Sequence, residues 1–165
     1  MSKKEELQVE DDGRLLLDNQ LCFALYVCSK EIIRKYKPFL DPLGLTYTSY
    51  ITMMALWEQD NVNVKELGSH LYLDSGTLTP ILKKLEKQGY IKRQRSKEDE
   101  RNVVIHLTKE GRELKQKCME VPVSLVCSMY SQEELEKGKA EGMASLVPAL
   151  HELMQQLAGI EEDEE

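Results

Sequence analysis

No stretch of this 165-residue chain approaches the ~20 consecutive apolar residues of a membrane-spanning helix. The N-terminus, MSKKEELQVEDDGR, lacks the apolar segment of a signal peptide, so the chain is expected in the cytoplasm, where thiols stay reduced. No CxxC pair is present. The four cysteines, at positions 22, 28, 118 and 127, match no zinc spacing, and His70, His106 and His151 lie near no cysteine pair. No metal and no other cofactor is expected. Internal repeats are also lacking. What is there, at 41% hydrophobic content, suffices to bury a core as one domain.

A formal net charge of -7 argues against nucleic acid, but its distribution reverses that. Residues 131–165 hold ten acidic and two basic residues and end in EEDEE, which leaves residues 1–130 at +1. Lys83–Arg101 alone carries eight basic and four acidic residues. Positive charge concentrated on one segment is what a phosphate-contacting surface needs. The acidic end, residues 159–165, reads as a solvated tail.

Periodicity predicts a mostly helical α+β chain. Leu15 to about Lys37 reads as a long amphipathic helix, stopped by Pro38 and DPLG at Asp41–Gly44. Thr48–Gln59 is a second. In NVKELGSHLYLDSGTLTPILKKLEKQGY, Val64, Leu67, Leu71 and Tyr72 mark a short helix, and Asp74-Ser75-Gly76 supplies a turn and N-cap. A further helix follows to Gln88, with Leu78, Ile81, Leu82 and Leu85 inward and Gly89 ending it. Two short helices around a tight polar turn make a helix-turn-helix. Alternation around Ile91 and through Val103, Ile105 and Leu107 then predicts a β-hairpin with a charged tip at Ser96–Arg101, so the unit is winged. Thr108 opens another helix, which Pro122 should kink or interrupt, and Ser131-Gln-Glu-Glu134 is a capping box. Met143, Leu146, Leu150, Leu153 and Leu157 step 3, 4, 3, 4, a seam that wants a partner helix, with a break expected near Ser145 because of Gly142 and Pro148.

Two cysteines lie on the first helix. Leu21, Leu25, Cys28 and Ile32 recur at the spacing of one buried face, which makes Cys28 core. Cys22 sits beside that stripe, where a side chain can line a pocket.

The motif DERNVVIHLT (Asp99–Thr108), after TLTPILKKLEKQGYIKR, resembles the wing of the MarR superfamily of bacterial repressors. LDNQLCFALY, KPFLDPLGLTYTSY and KELGSHLYLDSGTLTP resemble, more narrowly, its organic hydroperoxide-sensing OhrR branch, in order and spacing, from about Leu17 to Tyr130. The resemblance implies a winged helix-turn-helix homodimer. Residues 15–45 and 108–158 would build the helical dimerisation region and 46–107 the DNA-binding unit. It also implies a cytoplasmic repressor, not an enzyme, that leaves its pseudo-palindromic operator DNA when organic hydroperoxide oxidises a cysteine.

In such a unit the recognition helix enters the major groove and must offer donors and methyl groups to base edges. Ser75, Thr77, Thr79 and Lys83 supply these. Lys97 and Arg101 at the wing tip, with Arg93 and Arg95 on its flank, can enter the minor groove or clamp phosphates, with Asp99 orienting Arg101.

A thiol senses peroxide only as thiolate, which hydrogen bonds from tyrosine hydroxyls favour. Tyr36 is 14 residues from Cys22, roughly 21 Å along one helix at ~1.5 Å per residue. The chain must fold back, or the pocket must form between subunits. The resemblance implies the second. It makes Cys22 the peroxidatic cysteine, Tyr36 and Tyr47 of the other subunit its hydrogen-bond partners, and Cys127 the resolving cysteine of the two-cysteine subset. Leu21, Phe23 and Tyr26 are then the apolar neighbours of the peroxide tail. Cys118 has no counterpart and reads as an ordinary helix residue.

Three rivals stand beside this reading. A MarR-type repressor sensing a broader oxidant or a small aromatic ligand would share the fold. A thiol peroxidase would not need the basic hairpin, and the chain lacks a thioredoxin-like βαβ pattern. A protein-binding scaffold would leave the charge at Lys83–Arg101 unexplained.

Overall fold

A computed structural model describes residues 13–95 and 102–158. After a 3-10 turn at Leu17–Asn19 come α1 (Leu21–Leu40), α2 (Tyr47–Glu58), β1 (Val62–Asn63), α3 (Val64–Leu71), α4 (Ser75–Lys87), β2 (Ile91–Arg95) and β3 (Val103–Leu107). Helices α5 (Lys109–Cys118), α6 (Val121–Met129), α7 (Gln132–Glu136), α8 (Lys139–Ala144) and α9 (Leu146–Ala158) complete it. The strands form an antiparallel sheet in the order β1-β3-β2, with Ile91 opposite Leu107 and Val62 opposite Ile105. This is the expected winged helix-turn-helix.

Local chemistry sets the boundaries. Thr46 caps α2 by accepting from the Ser49 amide, Asp74 caps α4 by accepting from Thr77, and Thr108 caps α5 by accepting from Gly111. Asn63 with Glu66, and Ser131 with Glu134, form capping boxes on α3 and α7. The core runs through the winged unit: Met53, Leu56, Leu67, Leu78, Leu82, Leu85, Ile91 and Ile105 are all buried, with Leu40 of α1 and Leu114 of α5 closing its ends. Gly111 lets α5 touch the wing, because an added Cβ would lie 2.0 Å from the Tyr90 carbonyl oxygen. The Trp57 indole donates to the Gly111 carbonyl at 2.9 Å, and Asp60 joins the Arg112 guanidinium at 2.6 Å while accepting from the Leu107 amide at 2.8 Å. Sheet and α5 are therefore fastened together.

Several expectations shift. The first helix does not start at Leu15: Gln20 is extended, so regular helix begins at Leu21. It also runs through Pro38 to Leu40. Only one backbone donor is lost there, and the chain turns instead at Pro42 and at Gly44, whose φ is +70. At Pro122 the helix is interrupted, as one of the two expected outcomes. The proline sits in the first turn of α6, where a missing N–H costs nothing, and α5 ends separately at Cys118. The break at Ser145 is present, between α8 and α9. Tyr72 is not inward: it ends α3 in the left-handed region at φ 52 and is 53% exposed. Nor is Cys28 core, because it is exposed. Among the described residues the stripe it belongs to is only partly covered: Leu21 is 63% exposed, and Leu25 and Ile32 are half-buried.

Candidate functional site

Helix α4 divides cleanly. Leu78, Leu82 and Leu85 are fully buried, which turns Ser75, Thr77 and Lys83 to solvent and leaves Thr79 half-buried. The hydroxyls are less available as donors than the sequence suggests. Thr77 Oγ1 donates to Asp74 Oδ2 at 2.7 Å, and Thr79 Oγ1 donates to the Ser75 carbonyl at 2.6 Å. What the two threonines keep for a base edge is acceptor lone pairs and their methyl groups. The hydroxyl and amide of Thr77 hold the Asp74 carboxyl below its usual range, so it stays charged at the helix N-terminus. A cleft of about 880 Å³ lies between α3, the start of α4 and the wing base, with Ser69, Tyr72, Ser75, Thr79 and Arg93 on its walls.

The two flanking arginines differ. Arg95 ends β2 and is exposed. Arg93 is engaged by Glu86 of α4, which sequence reasoning missed: its NH2 and Nε lie 2.7 and 2.8 Å from Glu86 Oε2. Its backbone amide donates to Oε1 at 3.1 Å. These bonds hold the Glu86 carboxyl below its ordinary range. Lys97, Asp99 and Arg101 lie outside the described residues.

A second cluster lies where α1 meets α2. The rings of Tyr36 and Tyr47 are 5.0 Å apart at 49°, and Tyr50 packs on Tyr36 at 5.9 Å. Thr46, as N-cap, fixes Tyr47 as the first helical residue of α2. Burial pushes both phenols above their usual range, Tyr36 further through Tyr47, so both keep their protons at neutral pH. Among the described residues neither hydroxyl has a hydrogen-bond partner. Tyr50 was missed in the sequence; its signal was the i, i+3 spacing from Tyr47. Cys22 stands in the first turn of the same uninterrupted α1, so ~21 Å of helix separates it from Tyr36 within one chain.

The family model for the SarA/Rot transcriptional regulators matches residues 34–118. The chain belongs to this family. The regulator is also 47% identical over 137 residues to the organic hydroperoxide resistance transcriptional regulator of Bacillus subtilis, covering 82% of this chain and 92% of that one. Among solved structures, reduced AbfR bound to DNA superposes with a TM-score of 0.63 at 37% identity, covering 77% of this chain and 95% of that one. Disulfide-formed AbfR gives 0.56 at 36%, covering 77% and 92%. The hydroperoxide-regulator, MarR-type resemblance read from the motifs is borne out, and these relatives are regulators, not enzymes.

The remaining thiols of the regulator separate by burial. Cys118 is 3% exposed on α5, and burial pushes its thiol up, which keeps it an unreactive neutral group. Cys22 and Cys127, on α1 and α6, are exposed. The expected peroxide pocket is not formed within one chain: Leu21, Phe23 and Tyr26 all face solvent, Tyr26 with Lys30 Nζ 6.0 Å from its ring. Beside Tyr47, instead, lies a groove of about 220 Å³ walled by Ile33, Leu40 and Leu45.

Proposed function

We propose that the regulator is a cytoplasmic homodimeric repressor that leaves its operator when an organic hydroperoxide oxidises Cys22. One observation carries this reading. Tyr36 and Tyr47 present two protonated phenols without an acceptor among the described residues, while the thiol they suit lies at the far end of the helix that carries Tyr36. A second chain whose α1 runs alongside brings Cys22 of one subunit to the tyrosines of the other. The apolar surface required for that pairing exists: Leu21, Phe23 and Val27 on α1, with Leu146, Leu150 and Leu157 on α9, are exposed in the single chain.

The chemistry follows from the pocket. Two phenol hydrogen bonds stabilise the Cys22 thiolate, which attacks the distal oxygen of ROOH. An S–O bond forms to the peroxide hydroxyl, the O–O bond breaks, and the alkoxide leaves and takes a proton from water to become the alcohol, so sulfur is oxidised to sulfenic acid and peroxide is reduced. The Cys127 thiol of the partner then attacks that sulfur, forming the S–S bond, and its proton leaves with the sulfenic hydroxyl as water. Helix α4 reads the major groove through Ser75, Thr77, Thr79 and Lys83, and the wing, with Arg93, Arg95, Lys97, Asp99 and Arg101, follows the backbone and adjacent minor groove. Leu21, Phe23 and Tyr26 close over the peroxide tail at the subunit boundary. A DNA-shift titration with organic hydroperoxide tests the whole reading: wild type should release its operator and Cys22→Ser should not. Release by Cys22→Ser at the same peroxide concentration would refute it.

A further inference from the structure

The recognition helix is tied to the segment that carries the tyrosine pair. Gln88 follows the last turn of α4, and its Nε2 donates to the Gly44 carbonyl at 2.8 Å, 44 residues earlier in the chain. The amide orientation is fixed by chemistry, since the flipped form would set two carbonyl oxygens against each other. Its Oε1 is buried and has no partner among the described residues. Gly44 permits the approach: its φ is +70, and an added Cβ would lie 2.8 Å from Gln88 Nε2. Two residues beyond Gln88, the Tyr90 hydroxyl donates to the Leu43 carbonyl at 3.4 Å.

These bonds are not needed to end the helix. The amides of Gln88, Gly89 and Tyr90 already bond the carbonyls of Lys84, Glu86 and Leu85. What they reach is the connection from α1 to α2. That connection starts one residue after Leu40, on the helix that holds Tyr36, and ends at Thr46, the cap that fixes Tyr47. Leu40 and Leu45, bonded through the Leu45 amide and Leu40 carbonyl, anchor it in the core.

We propose that Gln88 is a positioning residue that carries a displacement of the Tyr36–Tyr47 pair to the recognition helix. The proposal rests on the redox reading above and names the route from its sensor to its DNA face. Apolar contacts between the connection and α4 slide without much change in energy, whereas an amide–carbonyl bond weakens steeply once its angle or length departs from ideal. Among the described residues the Gly44 bond is the one hydrogen bond of the Gln88 side chain, so its loss leaves the amide without a partner there. The contact therefore has two conditions, made and broken, rather than a continuum.

The test uses the full-length dimer and two variants, Gln88→Ala and Gln88→Glu. The second keeps the shape but replaces the donor with a carboxylate facing the Gly44 carbonyl. Four quantities are measured: the rate of Cys22 thiol loss with tert-butyl hydroperoxide, operator affinity of the reduced protein, operator affinity of the fully oxidised protein, and the melting temperature. Both variants should oxidise at the wild-type rate and bind operator when reduced within about threefold of wild type. Their reduced-to-oxidised affinity ratio should fall by about tenfold, within the usual range of coupling between sites. A ratio equal to wild type in both variants overturns the proposal. So does a loss of reduced-state binding that accompanies a lower melting temperature, since Gln88 would then be a structural contact. If wild type itself keeps the same operator affinity after Cys22 oxidation, the redox reading fails instead.

Discussion

Glu86 on the recognition helix and Arg93 on the first wing strand form a pair with NH2 and Nε at 2.7 and 2.8 Å from one carboxylate oxygen and the Arg93 amide on the other. The wing is thereby set in angle against the helix that precedes it. The same pairing withdraws one positive charge from the DNA face.

Glu86→Gln should return that charge. Binding to non-operator DNA should tighten, and the slope of log affinity against log salt should steepen by up to ~1, as for one added phosphate contact. Filter binding across a salt series measures both. Arg93→Ala should weaken operator binding by less than Arg101→Ala does.

Tyr36→Phe and Tyr47→Phe should fold and bind DNA as wild type does. On the proposed pairing each removes one hydrogen bond to Cys22 of the other subunit, so peroxide oxidation of Cys22 should slow and peroxide sensitivity should drop. Equal oxidation rates in wild type and the double variant would remove both tyrosines from the mechanism.

Alkaline pH should loosen the tyrosine cluster. Burial, with Tyr36, Cys118 and Tyr47 adding to it, pushes the Tyr50 phenol up to about 12 from 10.0. The folded state therefore holds a proton that the unfolded chain gives up first. This contribution is fully present below pH ~10 and is lost as pH rises towards ~12. Phenolate absorbance should show late-titrating tyrosines, and thermal midpoints should fall across that window.

Gly111→Ala should be severely destabilising, on the order of 3 kcal/mol, because its Cβ meets backbone, at 2.0 Å from the Tyr90 oxygen, rather than a movable side chain. Urea unfolding of the full chain would measure it. A loss below ~1 kcal/mol would mean α5 can withdraw from the wing.

Peroxide-treated wild type should run as a covalent dimer on a non-reducing gel, joined from Cys22 to Cys127 of the other subunit. Cys127→Ser should stop at sulfenic acid or a mixed disulfide. Buried Cys118 should contribute nothing. A dimer that persists in Cys127→Ser, or that forms through Cys118, would overturn the pairing.

Most elements were legible because their causes are local. Asp74, Thr108 and Ser131 each cap a helix within three residues of themselves, and the alternation about Ile91 and Ile105 needs no distant partner to predict a strand. The family motifs are also strings in the chain, as are the positions Cys22, Tyr36 and Tyr47 that the resemblance singles out. Periodicity identified the apolar stripe through Leu21 and Cys28, but a stripe says which side of a helix is apolar, not what covers it. Only the tertiary structure left that side open to solvent. Pro38 within α1 has the same origin, since the buried Leu40 beyond it offsets one lost hydrogen bond. Likewise Glu86 with Arg93, Asp60 with Arg112 and Gln88 with Gly44 join residues 7, 52 and 44 positions apart. No short-range pattern encodes such pairs, because they exist only once the core has set the distance between their backbones.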